Sequence, residues 1–508
     1  MHTFPSRRFA LATSALAIMS LPALAALPQA PGYIDDSTAV PAAKTRILPP
    51  MFEQTLTSTR FLGGADNPLA TVAEASDFHK TSNYTQTVEY MKKLAAASNG
   101  AIKLTWMPEK SAEGYDMMLA VASTSADKSP EGLKKSGKPT VLVEAEIHPG
   151  EANGKDAMFM LLRDMTTGKK PLASILDKVN ILFIPTVNVD GDMRTSAYGR
   201  INQNGPDITG WRVNGQNLNL NRDFTKLDSA EIRNVAWVFN QYDLSFFADT
   251  HSTDGAMYPY DSSYCNNGEG WSPAATRWMD TVMQPHVYKE VQSYGHQIHE
   301  CISLNDNKDL TQGYYPYRTD LARFSNQYGD IRSVPSVLIE QHALHPYKTQ
   351  VLGNYVMLKA MFESVGNNAG SLKTAIAADR SKALSDDKVT LTWKPGTPEE
   401  SPVHRRRLHL RDVADHRPEN HQVDQQAEDD DRTGHRQRRA GPDRHPAGRV
   451  HRAGAVERRD QAAARARHPD EDPGQADAGR SDPVPDGQRQ ARRRLRARPG
   501  SEEPDPRL

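Results

Sequence analysis

Cysteine is almost absent: Cys265 and Cys301 are the only two among 508 residues. Two thiols can close one bridge at most, so a disulfide-dense scaffold and a cysteine-ligated metal cluster are both excluded. Whether the two pair or stay buried as thiols is left open by the sequence. Net charge is scarce as well. The 62 Lys and Arg against 63 Asp and Glu leave a formal charge of -1, which gives no surplus to attract nucleic acid or an acidic partner. Beyond the N-terminus no apolar run reaches the roughly 20 residues needed to cross a bilayer. Internal repeats are missing too. The sharpest absence is local: residues 404–508 contain no Phe, Tyr, Trp, Ile, Met, Cys or Lys. Such a stretch cannot bury enough apolar surface to offset its own ordering, and a low-complexity disordered tail is expected there. Its Arg, Ala, Asp, Pro, Gly and His mixture is what GC-rich coding DNA gives when read out of frame. We read the tail as a frameshifted stretch, with a genuine disordered arm as the alternative.

What is present begins with an export signal at residues 1–25. Arg7 and Arg8 form a basic start, Phe9 to Leu21 an apolar run, and Ala23-Leu24-Ala25 a small-residue cleavage site. A secreted or periplasmic protein without stable membrane insertion follows from that reading. Residues 26–76 are Pro- and Ala-rich and aperiodic, and are taken as an N-terminal extension. From 77 to 370 apolar runs of strand length alternate with helical spacing. Strands are expected at Ile102–Trp106, Tyr115–Ala122, Thr140–Glu146, Val179–Val187, Leu244–Ala248 and Val334–Ile339. Helices are expected at Tyr84–Ala97, Gly154–Met165, Ser229–Asn240, Ala274–Tyr294 and Val351–Val365. This alternation predicts an α/β fold: a mixed, largely parallel central sheet with helices on both faces. Residues 371–403, with the alternating Val389–Trp393, are expected to begin a C-terminal β segment.

The chemistry sits where the expected strands stop. Thr140–Ile147 runs into His148-Pro149-Gly150-Glu151, Leu244–Ala248 into Asp249-Thr250-His251, and Val334–Ile339 into Glu340. Open α/β sheets keep their ligand sites at that edge. Two imidazoles and a carboxylate form the ligand set of a catalytic zinc with an open position for water. A further carboxylate can take a proton from that water. Between these strands lie Trp211-Arg212 and Asn219-Leu220-Asn221-Arg222-Asp223-Phe224, whose arginines suit a carboxylate or a developing oxyanion. His296 and His299, in HQIHE, form a rival pair that does not match zinc-helix spacing; a solvated helix face is the expectation there.

Taken together, HPGE at 148–151, NVDG at 188–191, WR at 211–212, NLNRDF at 219–224, DTHSTDG at 249–255 and PSVLIE at 335–340 resemble the pancreatic-type zinc metallocarboxypeptidases. The resemblance spans roughly Tyr84 to Val365. It implies that His148, Glu151 and His251 bind Zn2+ and that Glu340 is the general base and acid. Arg212 would polarise the scissile carbonyl. Asn221 and Arg222 would hold the free C-terminal carboxylate of a peptide substrate, with Tyr317 the implied mobile tyrosine. Three positions depart from the family. Asn219 stands where Asp is usual, Val189 replaces Pro, and Asp223 puts a carboxylate beside the expected clamp. The implied activity is hydrolysis of C-terminal peptide bonds. A cell-wall peptide or acyl-amino acid amidase using the same site is the nearest alternative, and a zinc-containing binding module without catalysis the more distant one.

Overall fold

The computed structural model of the chain describes residues 54–386, apart from 65, 169, 254, 256–257, 259, 267–269, 307–313 and 317–320. Eight strands form one sheet in the order β1-β2-β4-β3-β5-β10-β6-β7. They are β1 (Ile102–Trp106), β2 (Met118–Ala122), β3 (Thr140–Ala145), β4 (Asn180–Ile184), β5 (Leu244–Ser252), β6 (Ser262–Asn266), β7 (Ile298–Glu300) and β10 (Ser336–Gln341). Between β7 and β10 in sequence, β8 (Ile302–Leu304) and β9 (Tyr314–Pro316) pair antiparallel as a separate ribbon. The central strands β4, β3, β5 and β10 run parallel, β1 with β2, β2 with β4 and β6 with β10 pair antiparallel, and β7 pairs parallel with β6. This is the mixed, mostly parallel sheet that the alternation of runs predicted.

Both faces of the sheet are covered, which is why its central strands read as unbroken apolar runs. On one face Val141, Val143, Phe183, Phe246, Val337 and Ile339 pack with the helices Asn153–Thr167 and Tyr347–Asn367. On the other, Leu142, Leu182 and Phe247 pack with Ala230–Gln241 and with Tyr328 of Ser325–Ile331. The chain leaves β3 for β4 on one side and later places β5 on the other. The carboxyl ends of β3 and β5 therefore flank a topological switch point, where a crevice must open.

Three expectations need correcting. The single helix Ala274–Tyr294 is broken into Pro273–Trp278, a π-helical turn Met279–Met283, and Gln284–Ser293. Pro285 lacks the N–H that would continue regular pairing there. His299 lies on β7 and not on a helix, and His296, expected on a solvated face, is buried. The segment 371–403 begins as helix, Ala369–Ser385, because Leu372, Ile376 and Asp379 fall on one buried face of a run rich in helix formers. Val389–Trp393 lies outside the described residues, as do 1–25 and 404–508.

Residues within the expected extension 26–76 fold onto this body. Thr57–Phe61 and Val72–Ala75 are helical turns, the second opened by a capping box between Thr71 and Glu74. Glu74 Oε2 pairs with the buried Arg163 at 2.5 Å, and the Phe61 ring stacks on Tyr355 with centroids 4.5 Å apart. Ser58 Oγ lies 2.8 Å from His296 Nε2, and Asp261 bonds His296 Nδ1. All three residues of that chain are buried. Cys265 and Cys301 form a disulfide that ties β6 to the end of β7, with Cα atoms 4.9 Å apart.

Candidate active site

β3 ends at Ala145, and Glu146 turns the chain through a left-handed φ of 53°, a conformation that side chains other than glycine adopt only when their surroundings enforce it. Here buried charge enforces it. Lys155 Nζ sits 2.9 Å from Glu146 Oε2, and Thr186 Oγ1 donates to the same oxygen at 2.8 Å. Lys155 also donates to the Ser82 carbonyl and lies 3.9 Å from Asp192. Since Lys155 belongs to the helix Asn153–Thr167, the pair closes the turn that carries His148 and Glu151 between its two ends. Nearby, Tyr347 donates its hydroxyl to Asp156 at 2.6 Å. Burial first, offset in part by Lys155 and that hydroxyl, pushes the Asp156 carboxyl up to about 6.

His251 needs no such device. It lies in β5, level with Glu340 of β10, and strand alternation points both side chains to the same face. One donor atom from each of His148, Glu151 and His251 falls within 4.8 Å of the others, and all three residues are buried. Glu151 Oε2 lies 2.8 Å from His251 Nδ1, and Oε1 lies 3.3 Å from His148 Nδ1. The outer nitrogens are held from behind. His148 Nε2 is 2.9 Å from Asn219 Oδ1, and His251 Nε2 is 2.6 Å from Asp249 Oδ2. With each Nε2 held by an acceptor, both Nδ1 atoms are left on the Glu151 side, where each could give a lone pair to a metal. His148 Nδ1, buried, makes no hydrogen bond, as expected of a donor whose partner would be a cation. The set fits zinc: two imidazole nitrogens, one carboxylate and a supporting acceptor behind each ring.

Charge around the cluster is uneven. Burial opposes the Glu151 charge, but Arg200 above all, with His148 and His251, holds its carboxyl well below the ordinary range. Burial keeps His148 below its usual value, and Glu151 opposes this. For His251 burial acts in the same sense but is outweighed by Asp249 and Glu151, which hold it well above. Glu144, level with Asp249 on the neighbouring strand, is pushed far upward by burial and then by Asp249.

Arg212 reaches in from the adjoining loop, with Nη1 3.0 Å from Glu151 Oε1. The 188–191 turn holds its backbone: Asn188 Nδ2 donates to the Arg212 carbonyl at 3.2 Å, and Trp211 N donates to Gly191 O at 2.7 Å. A Cβ on Gly191 would come within 2.2 Å of the Trp211 oxygen, so only glycine allows that approach. Asn221 is buried, its Nδ2 3.3 Å from His251 Nε2 and its Oδ1 accepting from Ser325 N at 2.8 Å. Arg222 is half-buried, its guanidinium 4.1 Å over the Phe324 ring. Tyr317 lies outside the described residues.

Asp223 does not face the crevice. Its carboxylate accepts from Ser229 N and Oγ and from Asp228 N, bracing the start of the helix Ala230–Gln241. His342 and His345, just past Glu340, are buried. His342 lies 3.2 Å from Ser263 Oγ and packs on Tyr258 and Tyr260. Among the described residues, His296 and His299 join no metal-ligating group. Sequence reasoning missed Arg200, whose Nη2 is 2.7 Å from Glu151 Oε1; no motif marks it. It also left Asp249 without a role, although two-residue strand spacing from His251 places it on the same face.

Residues 87–328 match the zinc carboxypeptidase family model. That part of the chain is similar to the family, as the six motifs implied. Curated relatives include probable carboxypeptidase 2 of Arthroderma benhamiae, 27% identical over 33% of this chain and 28% of that protein. Carboxypeptidase Z of Mus musculus is 28% identical over 30% of this chain and 22% of its own length. The chain thus spans under a third of the curated relatives it matches. A solved metallo-carboxypeptidase from Burkholderia cenocepacia aligns at TM-score 0.41 and 16% identity, over 55% of this chain and 69% of that one.

Proposed function

We propose that the protein is an exported, zinc-dependent metallocarboxypeptidase that hydrolyses C-terminal peptide bonds. The observation that carries this reading is the convergence of His148, Glu151 and His251 on the face that also bears Glu340. Zinc held by those three residues would lower the pKa of a water and polarise the scissile carbonyl. Glu340 would take the proton from the attacking water and deliver it to the leaving amine. Arg212, whose side chain is 35% exposed, would swing from Glu151 to the carbonyl oxygen as negative charge grows there. Arg222, with Asn221, would hold the substrate's terminal carboxylate, and Tyr317 would close over it. The expected signal at residues 1–25 and the disulfide support a secreted or periplasmic site of action. No helix of the described residues is long and apolar enough to cross a membrane.

One observation favours a second reading, an amidase acting on cell-wall peptides or acyl-amino acids. The Asn221 amide oxygen accepts from Ser325 N and its Nδ2 lies 3.3 Å from the His251 ring, so the carboxylate clamp rests chiefly on Arg222. Paired peptides with free and amidated C-termini, assayed with and without a chelator, separate the two. Carboxypeptidase action predicts chelator-sensitive cleavage of the free acid and loss of most of it on amidation. Equal rates on both would favour the amidase. In the same assay Glu340→Gln should keep its zinc and lose at least about 10²-fold in kcat. Near-parental turnover would move the base elsewhere.

A further inference from the structure

Two guanidiniums reach one oxygen of Glu151, and they are held differently. Arg200 Nη2 is 2.7 Å from Oε1 and Arg212 Nη1 3.0 Å, yet the Arg200 side chain is 6% exposed and that of Arg212 35%. The Arg200 stem lies over Gly150, where a Cβ would meet its Cγ at 2.8 Å and where φ is 97°. Glycine between the two ligands therefore serves both the turn and the arginine stacked on it. Gln203, buried, completes the clamp. With its amide oriented to satisfy both neighbours, it accepts from Arg200 Nη2 at 3.2 Å and donates to the Gly150 carbonyl at 3.0 Å.

We propose that Arg200 is a positioning residue that fixes the Glu151 carboxylate for the metal and so frees Arg212 to engage substrate. The inference rests on the functional reading above and goes beyond it by dividing the two cations' tasks. A buried carboxylate needs a charged hydrogen-bond partner throughout the catalytic cycle. Arg200 is enclosed and can supply one continuously. Arg212 reaches solvent and can leave. Without Arg200, Glu151 would draw Arg212 inward and take it from the substrate.

The test compares the parent protein with Arg200→Met, Arg200→Lys and Arg212→Met, each loaded with zinc. Zinc release to a colorimetric chelator is followed beside kcat and KM on a peptide with a free C-terminus. Arg200→Met should release zinc at least about tenfold faster, the lower end for a lost partner of a metal ligand. Its kcat should fall more than its KM changes, and Arg200→Lys should recover part of both. Arg212→Met should lose kcat but release zinc within about twofold of the parent, because Arg200 still holds the ligand. Unchanged zinc release from Arg200→Met, in a parent that binds zinc and cleaves peptide, overturns this inference alone. Equal loss of zinc from Arg200→Met and Arg212→Met overturns the division of tasks. A parent that neither binds zinc nor cleaves overturns the functional reading along with it. If Arg200→Met does not fold, Arg200→Lys and Arg200→Gln carry the same comparison, and slower or parental zinc release in both rejects the proposal.

Discussion

His251 and the His148–Glu151 turn bring donors to one point by different means. His251 lies inside a strand paired on both sides, through Thr250 with Ala145 and through His251 itself with Glu340. The backbone ladder fixes it. The turn has left the sheet and is fixed by side chains: Lys155 against Glu146, Thr186 beside them, and Arg200 with Gln203 over Gly150. Buried lysine and arginine side chains are thus found where the backbone holds least. A ligand in a ladder should tolerate changes around it that a ligand on a turn does not.

The largest expected effect ignores that difference. His148→Ala or His251→Ala removes one of three protein ligands, so neither variant should keep stoichiometric zinc in metal analysis after dialysis. Zinc retained by both would reject the site itself.

The difference appears in the groups that brace the ligands from behind. Lys155→Met leaves the Glu146 carboxylate buried without its cation and should destabilise the fold by about 3–5 kcal/mol. On the ladder side, Thr250→Val removes a hydroxyl that donates to the Glu144 carbonyl at 3.0 Å, worth only about 1 kcal/mol. Denaturant unfolding of the two metal-free variants measures this directly, and equal losses would break the comparison.

A smaller pair of changes addresses what stands behind each ring. Asp249→Asn takes the charge from behind His251, and zinc affinity should drop by about 10- to 100-fold. Asn219→Asp adds a charge behind His148 and should raise affinity. Chelator competition reads both, and affinity that falls in Asn219→Asp would show that the neutral amide is required.

The smallest effect is a pH dependence on the turn side. The Asp156 carboxyl, at about 6 in the fold against 3.8 unperturbed, keeps a proton that the unfolded chain has lost. Its stabilising share is complete below about pH 4, declines as pH rises to about 6, and stays flat beyond. Relative to Asp156→Asn, which does not titrate, the parent's melting temperature should fall by a few degrees across that window. A constant difference from pH 4 to 7 would place the Asp156 pKa back in the ordinary range.

Much of this was legible in the sequence. Tyr84–Ala97 and Ile102–Trp106 have the bounds their periodicity suggested, because local spacing and caps decide such elements. β5 runs on to Ser252, past the expected stop at Ala248. The polar Asp249-Thr250-His251-Ser252 reads as a turn, and only pairing on both flanks keeps it extended. β7 was hidden by its three-residue length. Arg200 could not be found from spacing, since its loop carries no period and its partner lies 49 positions away in sequence, between Arg200 and Glu151. Asp223 looked like part of the crevice from its place in NLNRDF, whereas the start of a helix six residues on had claimed it.

The docking of residues 54–76 sets the minimum length of the folding unit. A polypeptide begun at residue 77, where the apolar alternation starts, would uncover the Tyr355 ring and strip Arg163 of Glu74. It would also leave His296 Nε2 without Ser58. The truncated chain would leave the Arg163 guanidinium with Asp164 as its one remaining carboxylate and expose an apolar seam along the helix Tyr347–Asn367. Trimming to the region of recognisable motifs would therefore yield an insoluble product, although every residue of the metal centre would still be present.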